Sequence, residues 1–281
     1  MTDAARRPAP DPALVRALER CEIDVWRDLY AAPPGDVAGA AGLRVDALDG
    51  AALFLAPAFD VLALNRLVGL GVEEPASEAQ LDAALDAAAR AGVRRLFVQV
   101  VPTAEPAALD DWLAARGLVP YNAWVRLARP VAPVDDPPTP LRVAEIGPAD
   151  AATFGRIAAG AFGWPALLER WTAASVGREG WRHYLAYDGD EPVATGAFRL
   201  RGGEAWFGFA ATVERHRGRG AQGALLARRL RDAAAMGARR ASLETAQPTP
   251  QRAAPSFRNV QRAGFATVYL RRNWLHAPAS A

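Results

Sequence analysis

The sequence predicts an α/β protein of two tandem units, each a mixed sheet flanked by helices. Three observations carry that prediction. The chain has 281 residues, 51% of them hydrophobic, enough to bury two separate cores. Five prolines stand between Pro130 and Pro140, a stiff extended segment that divides residues 1–129 from residues 141–281. On both sides of it, helical and strand periodicities alternate, the pattern of sheets covered by helices.

In the first part, Leu14, Ala17, Leu18, Cys21, Val25 and Leu29 recur at helical spacing, so residues 13–30 form an amphipathic helix, ended by Ala31-Ala-Pro-Pro-Gly35. Short strands are expected at 43–48, 51–56 and 60–67. Ser77 caps a helix reaching about Ala91, and Gly92 closes it. A strand at 95–101, a helix from about Pro106 to Arg116 and a strand at 121–129 follow.

The second part opens with a strand at 141–145, a helix started by Pro148-Ala-Asp150, and a second helix at 165–175. Strands at 181–187 and 192–199 flank Asp188-Gly-Asp190, a hairpin turn. After the Arg201-Gly-Gly203 turn come a strand at 204–213, a basic glycine-rich loop and a helix to Met236. A strand at 240–245, a helix at 256–262 and a strand at 266–274 complete the order β-α-α-β-β-β-α-β-α-β, which implies a mixed sheet.

The loop Val213-Glu-Arg-His-Arg-Gly-Arg-Gly-Ala-Gln-Gly223 carries the chemistry. It joins a strand to a helix, so backbone N–H groups at the helix start lack partners and favour an anion. Gly218, Gly220 and Gly223 allow close approach to the main chain, which suits a pyrophosphate. A Walker loop would end in Lys, and the chain has none. Gly218-x-Gly220-x-x-Gly223 fits a dinucleotide fingerprint in spacing, yet no acidic ribose-binding position follows on a clean second strand. A basic turn that merely caps a helix is the remaining plain reading.

Arg215-His-Arg-Gly218-Arg-Gly220 fits Q/R-x-x-G-x-G/A, and in this it resembles the acyl-CoA loop of the GNAT (GCN5-related) N-acetyltransferases. The resemblance covers roughly residues 141–274. Ser256-Phe-Arg-Asn259-Val-Gln-Arg262-Ala-Gly264-Phe265 is similar to a tail found in a subset of the same family. The segment Leu109 to Arg126 echoes that tail, with Gly117-Leu118 falling on Gly264-Phe265. Where the first part should carry its own basic loop it offers Val68-Gly-Leu-Gly71-Val-Glu73-Glu74-Pro75. Two carboxylates repel a pyrophosphate and Pro75 lacks a donor. The first part is therefore expected to be a degenerate GNAT-like domain without the CoA loop.

The resemblance implies N-acyl transfer from acetyl-CoA, or another acyl-CoA, to a primary amine of a small molecule by direct attack. It places pantetheine and the thioester on backbone N–H groups near Ala211 and Val213. The pyrophosphate falls on Arg215, Arg217, Gly218, Arg219, Gly220, Ala221, Gln222 and Gly223, and Asn259 reaches the CoA arm. Glu204, eleven residues before Arg215, stands where some members place a catalytic carboxylate, with Glu244 a second candidate. Many members carry a proton-donating Tyr four residues before the Gly-Phe pair. Here that position is Val260, so Tyr269 or Ser256 is asked to serve as general acid. Trp164 and Trp171 are expected at the acceptor cleft, while Trp181, Trp206 and Phe207 read as core. A non-catalytic acyl-CoA sensor or scaffold is the alternative.

Composition narrows the remainder. All 33 basic residues are Arg, against 31 acidic ones, so a net charge of +2 predicts no nucleic-acid partner. The absence of Lys excludes Schiff-base chemistry. The lone Cys21 and three histidines argue against a metal site. No apolar run is long enough for a membrane, and polar Met1–Pro12 does not resemble a signal, so a cytoplasmic monomer or homodimer is expected.

Overall fold

In the computed structural model, which describes residues 9–132, 134–250 and 254–277, two compact units interleave along the chain. The first comprises Met1–Ile23, Gly42–Arg126 and Thr267–Ala281, and the second Asp24–Ala41 and Leu127–Ala266. Residues 1–8 of the polar leader and Pro133 of the proline-rich segment lie outside the described residues. The elements begin with α1 (Pro12–Ala31), α2 (Gly35–Ala41), β1 (Arg44–Leu48), β2 (Ala51–Leu55), β3 (Arg66–Val68), α3 (Glu78–Arg90), β4 (Leu96–Val100), α4 (Leu109–Ala115) and β5 (Val119–Pro130). They continue with β6 (Arg142–Ile146), α5 (Ala151–Ala161), α6 (Ala166–Ala173), β7 (Trp181–Asp188), β8 (Glu191–Arg201) and β9 (Glu204–Thr212). The last are α7 (Ala221–Ala235), β10 (Arg240–Ala246), α8 (Pro255–Arg262) and β11 (Ala266–His276).

In the first unit the strand order is β1-β2-β3-β4-β11-β5. Leu53, Leu67, Leu81, Leu96, Val98 and Leu113 form its core. The expected strand at 60–67 shrinks to β3, because Asn65 diverts the chain before it. Its Nδ2 donates to Phe59 O (2.9 Å) and its Oδ1 accepts from Ala56 N (2.8 Å), side-chain bonds that replace a ladder. Helix α2 is an element the periodicity did not announce; only Val37 and Ala41 of its seven residues are buried.

The sequence division at 130–140 and the observed units differ by two exchanged segments. From Thr267 onward β11 belongs to the first unit, paired antiparallel to β4 with Trp274 opposite Val98 and packed in that core. Beside it lies a buried ionic network. Glu22 accepts from Arg66 (2.9 Å) and Arg126 (2.8 Å), and Glu19 accepts from Arg271 (2.6 Å) and from the Tyr269 hydroxyl. Such pairs hold firm only as sets, since removing one partner leaves a charge stranded away from water.

In the second unit the order is β10-β9-β8-β7-β6. Strands β6 to β9 run antiparallel and β10 joins β9 in parallel. Trp181, Arg199 and Trp206 stand opposite one another on successive strands, hence on one face; Phe198 and Phe207, the next pair along, share the other. On the first of these faces Asp28 accepts from Trp181 Nε1 (2.6 Å) and Arg178 Nη2 (2.7 Å). Burial opposes the charge on Asp28, but those bonds and nearby Arg199 hold its carboxyl below the usual range.

Candidate active site

Strands β9 and β10 pair from Glu204–Arg240 to Trp206–Ser242 and no further, although β9 runs on to Thr212 and β10 to Ala246. Beyond Trp206 the two parallel strands part, and among the described residues no strand pairs with that edge of residues 207–212. A bulge accompanies the opening. Ala197 faces Gly208 and Thr195 faces Ala211, so two residues of β9, Phe209 and Ala210, oppose the single Gly196. Phe209 takes φ +52°, and its carbonyl accepts from Thr195 Oγ1 (2.7 Å). Arg229 of α7 clamps the same place, its Nη1 donating to Ala197 O (3.1 Å) and Gly208 O (3.3 Å). Full burial pushes that guanidinium down to about 10.

The glycine loop lies where β9 ends. A 3-10 turn at Glu214–His216 leads into Gly218 (φ +81°) and Gly220 (φ +84°), left-handed positions that favour glycine. Gly220 caps α7 with no side-chain hydrogen bond. Arg217 N donates to Glu214 O, and the next amide with an intrachain acceptor is that of Ala224, which donates to Gly220 O (3.1 Å). The N–H groups of Gly218 through Gly223 have none among the described residues, so they form a donor nest at the positive end of the helix.

The loop's cations are unequal. Arg215 pairs with Glu191, and Arg219 with Asp188 (3.0 Å) and His216 Nδ1 (3.2 Å). The bond from Arg219 holds the Asp188 carboxyl below its ordinary value. Arg217 is 58% exposed, its one ion pair among the described residues is with Glu214 at 3.7 Å, and it is the most loosely paired of the three. In the sequence Asp188-Gly-Asp190 signals only a turn; the pairing of Asp188 with Arg219, and of Glu191 just beyond with Arg215, comes from the fold.

Several expected residues take other roles. Val213 N donates to Val193 O (2.9 Å), so that amide is used inside the sheet. Alternation puts Ala211 in the same phase and turns the Thr212 N–H to the open edge; counting parity from Val213 would have found it. A Cβ on Gly223 would meet Pro137 at 3.1 Å, so this glycine makes room for the proline-rich segment. Thr139 Oγ1 donates to Arg219 O (2.7 Å) and holds that segment to the loop. Gln222 Nε2 donates to Ala211 O (2.9 Å) and Thr212 Oγ1 (3.0 Å), tying α7 to β9, and Ala221 is a buried first helical residue.

Tyr269 belongs to the first unit, buried, with its proton donated to Glu19 and its ionisation pushed up by burial and that carboxylate. It is not a free proton donor. Ser256 is exposed at the start of α8, and Asn259 accepts from Arg262. Trp171 is 4% exposed; its Nε1 donates to Leu29 O (2.7 Å) and Tyr30 meets its ring edge-on at 4.9 Å, so it is core. Trp164 stacks on half-exposed Phe162 at 4.9 Å. Glu204 starts β9 with Oε1 3.3 Å from Arg240 Nη1, while its Oε2 is buried without a hydrogen-bond partner. Burial raises its carboxyl pKa, against the opposing pull of Arg240 and Arg239.

Residues 156–265 match the model of the Acetyltransferase (GNAT) family, a stretch lying wholly within the second unit. Among solved structures, a GCN5-related N-acetyltransferase from Kribbella flavida is similar with a TM-score of 0.61 and 20% identity, over 90% of this chain and 95% of that one. A GCN5-related N-acetyltransferase from Sphaerobacter thermophilus gives 0.59 and 18%, over 95% and 94%. A tandem GNAT protein from the clavulanic acid biosynthesis pathway gives 0.58 and 18%, over 91% and 94%. No curated protein matches.

Proposed function

We propose that the second unit, of which residues 156–265 match the GNAT acetyltransferase model in a chain whose fold is shared with a tandem GNAT protein, transfers an acyl group from acyl-CoA to the primary amine of a small molecule. The parted edge of β9 leading to the donor nest is the observation that carries this reading. Amides 218–223 hold the diphosphate and Arg217 adds charge. Thr212 N–H and the open strand edge receive the extended arm. From Thr212 back to Phe207 is about 16 Å at ~3.3 Å per residue, a path that ends where the strands rejoin at Trp206 and Ser242.

The amine nitrogen attacks the thioester carbon, the C–S bond breaks, and an amide forms. Glu204 takes the amine's proton at Oε2, the oxygen without another partner. The leaving thiolate is protonated by solvent, since Tyr269 is committed to Glu19. In this reading the first unit is a degenerate copy that contributes no CoA loop. The second reading, a sensor that binds acyl-CoA without turnover, draws on that missing proton donor.

Acetyl-CoA and longer acyl-CoAs are expected to raise the melting temperature. With a panel of amines, thiol release is expected to exceed the spontaneous rate. Glu204→Gln should keep the thermal shift and lower release by roughly 10²–10⁴-fold. A base must be deprotonated to act, and burial raises this carboxyl, so the rate should climb with pH through a value above the ordinary Glu range and lose that limb in the variant. Stabilisation without thiol release on any acceptor would establish the sensor; no stabilisation by any acyl-CoA would sink both readings.

A further inference from the structure

Three polar groups on one face of the second unit's sheet remain unsatisfied. Arg199 of β8 stands opposite Trp206 of β9, and Ser242 of β10 stands opposite Trp206 from the other side, so all three share a face. Glu204, two residues before Trp206, lies on that face as well. Arg199 Nε and Nη1, Ser242 Oγ and Glu204 Oε2 are all buried without a hydrogen-bond partner. A buried polar group left in this way requires an explanation, and four such atoms around one tryptophan require a common one.

The charges are not simply unmatched. Arg199 and Glu204 are diagonal neighbours with Cα atoms ~7–8 Å apart, yet no ion pair joins them among the described residues. Asp28 lies 3.7 Å from Arg199 Nε, beyond hydrogen-bond reach, because that carboxylate is already bound to Arg178 (2.7 Å) and Trp181 (2.6 Å). Arg201 is engaged by Asp24 at 3.3 Å and Arg240 by Glu204 at 3.3 Å. Asp24, Asp28, Glu204 and, two residues beyond Ser242, Glu244 thus face Arg178, Arg199, Arg201, Arg239 and Arg240. The Trp206 ring folds over Gly208, where a Cβ would strike it, and so leans away from Glu204. The row therefore offers a guanidinium with N–H donors that lack acceptors beside a carboxylate oxygen that lacks a donor.

We propose that Arg199, Ser242 and Glu204 form a subsite for the paired charges of an amino acid, whose carboxylate meets Arg199 and Ser242 and whose amine meets Glu204. It rests on the acyl-transfer reading above and names its acceptor: a free amino acid with amine and carboxylate close together. The same groups reject the decarboxylated amine and the ester, because each leaves the buried N–H donors of Arg199 without an acceptor.

The test is calorimetry on the full chain saturated with CoA, titrated with the standard L-amino acids, their methyl esters and their decarboxylated amines. At least one amino acid should bind ten times or more tightly than its ester and its amine. Arg199→Met should erase that difference while leaving CoA affinity unchanged; Ser242→Ala, a smaller change, should reduce it 3- to 10-fold and serves if the first variant does not fold. Esters or amines binding as well as the acids would overturn the subsite. So would a failure of every amino acid to bind, or a variant that lowers the melting temperature and keeps the discrimination, the sign of groups served by internal water. Amino-acid binding without thiol release would refute transfer and leave the subsite standing; release with simple amines alone would do the reverse.

Discussion

Two strand-to-helix loops, 69–77 in the first unit and 213–220 in the second, make opposite use of the same problem. In the first, Ser77 caps α3 by accepting from Gln80 N (3.1 Å), Val72 N donates to Gly69 O (3.2 Å), Ala76 N donates to Glu105 O (2.8 Å), and Pro75 has no donor to satisfy. Glu73, Glu74 and Glu105, with Arg16, line a cavity of about 410 Å³ beside it. In the second, a left-handed glycine replaces the cap and the amides of 218–223 stay open. The difference teaches that the donors of a helix start stay open where the ordinary side-chain cap is withheld, at a cost of only a few tenths of a kcal/mol when glycine takes the cap position.

The largest test of that contrast is Gly220→Val. A β-branched residue at φ +84°, with its Cβ 3.1 Å from Thr139 Cβ and 3.3 Å from Pro138 O, must distort the nest. Acetyl-CoA affinity by calorimetry should fall on the order of 100-fold, about 2.7 kcal/mol; unchanged affinity would break the comparison. Next comes Gly71→Ala, whose new Cβ would strike Glu105 O. Urea unfolding should show a loss of about 1–3 kcal/mol from overpacking, with the CoA affinity of the folded protein intact. Weaker CoA binding in that variant would implicate the first loop instead. Ser77→Ala should cost about 1 kcal/mol in the same unfolding assay and leave CoA binding alone. The smallest effect is expected from Arg217→Gln, at most roughly fivefold in affinity and vanishing as salt is raised; a loss that persists in high salt would mean the arginine makes a buried contact.

Much of this was legible in the chain itself. The helix capped by Ser77, the Asp188-Gly-Asp190 hairpin and the arginine-rich loop are local signals, and each fell where spacing and turn chemistry put it. The illegible parts depend on contacts distant in sequence. That Tyr269 would give its proton to Glu19, 250 residues away, follows from which sheet β11 joins, and no periodicity reports this. Trp171, placed at an acceptor cleft by the resemblance, packs on Leu29 and Tyr30, about 140 residues earlier, a contact that no local signal names. Nothing local marks Arg199; its place opposite Trp206, with Ser242 on the far side of that residue, depends on strand pairing.

The interleaving of the units has a consequence for dissecting the gene. A fragment starting at Leu141 lacks Asp28, on which Arg178 and Trp181 converge, and lacks the Thr139 anchor of the glycine loop. A fragment ending at Arg129 keeps Glu19 but loses Arg271 and Tyr269, so a carboxylate is left where its counter-charge should be. Neither half is expected to fold by itself, and two plasmids bearing the split coding sequence are expected to yield folded protein only when expressed together.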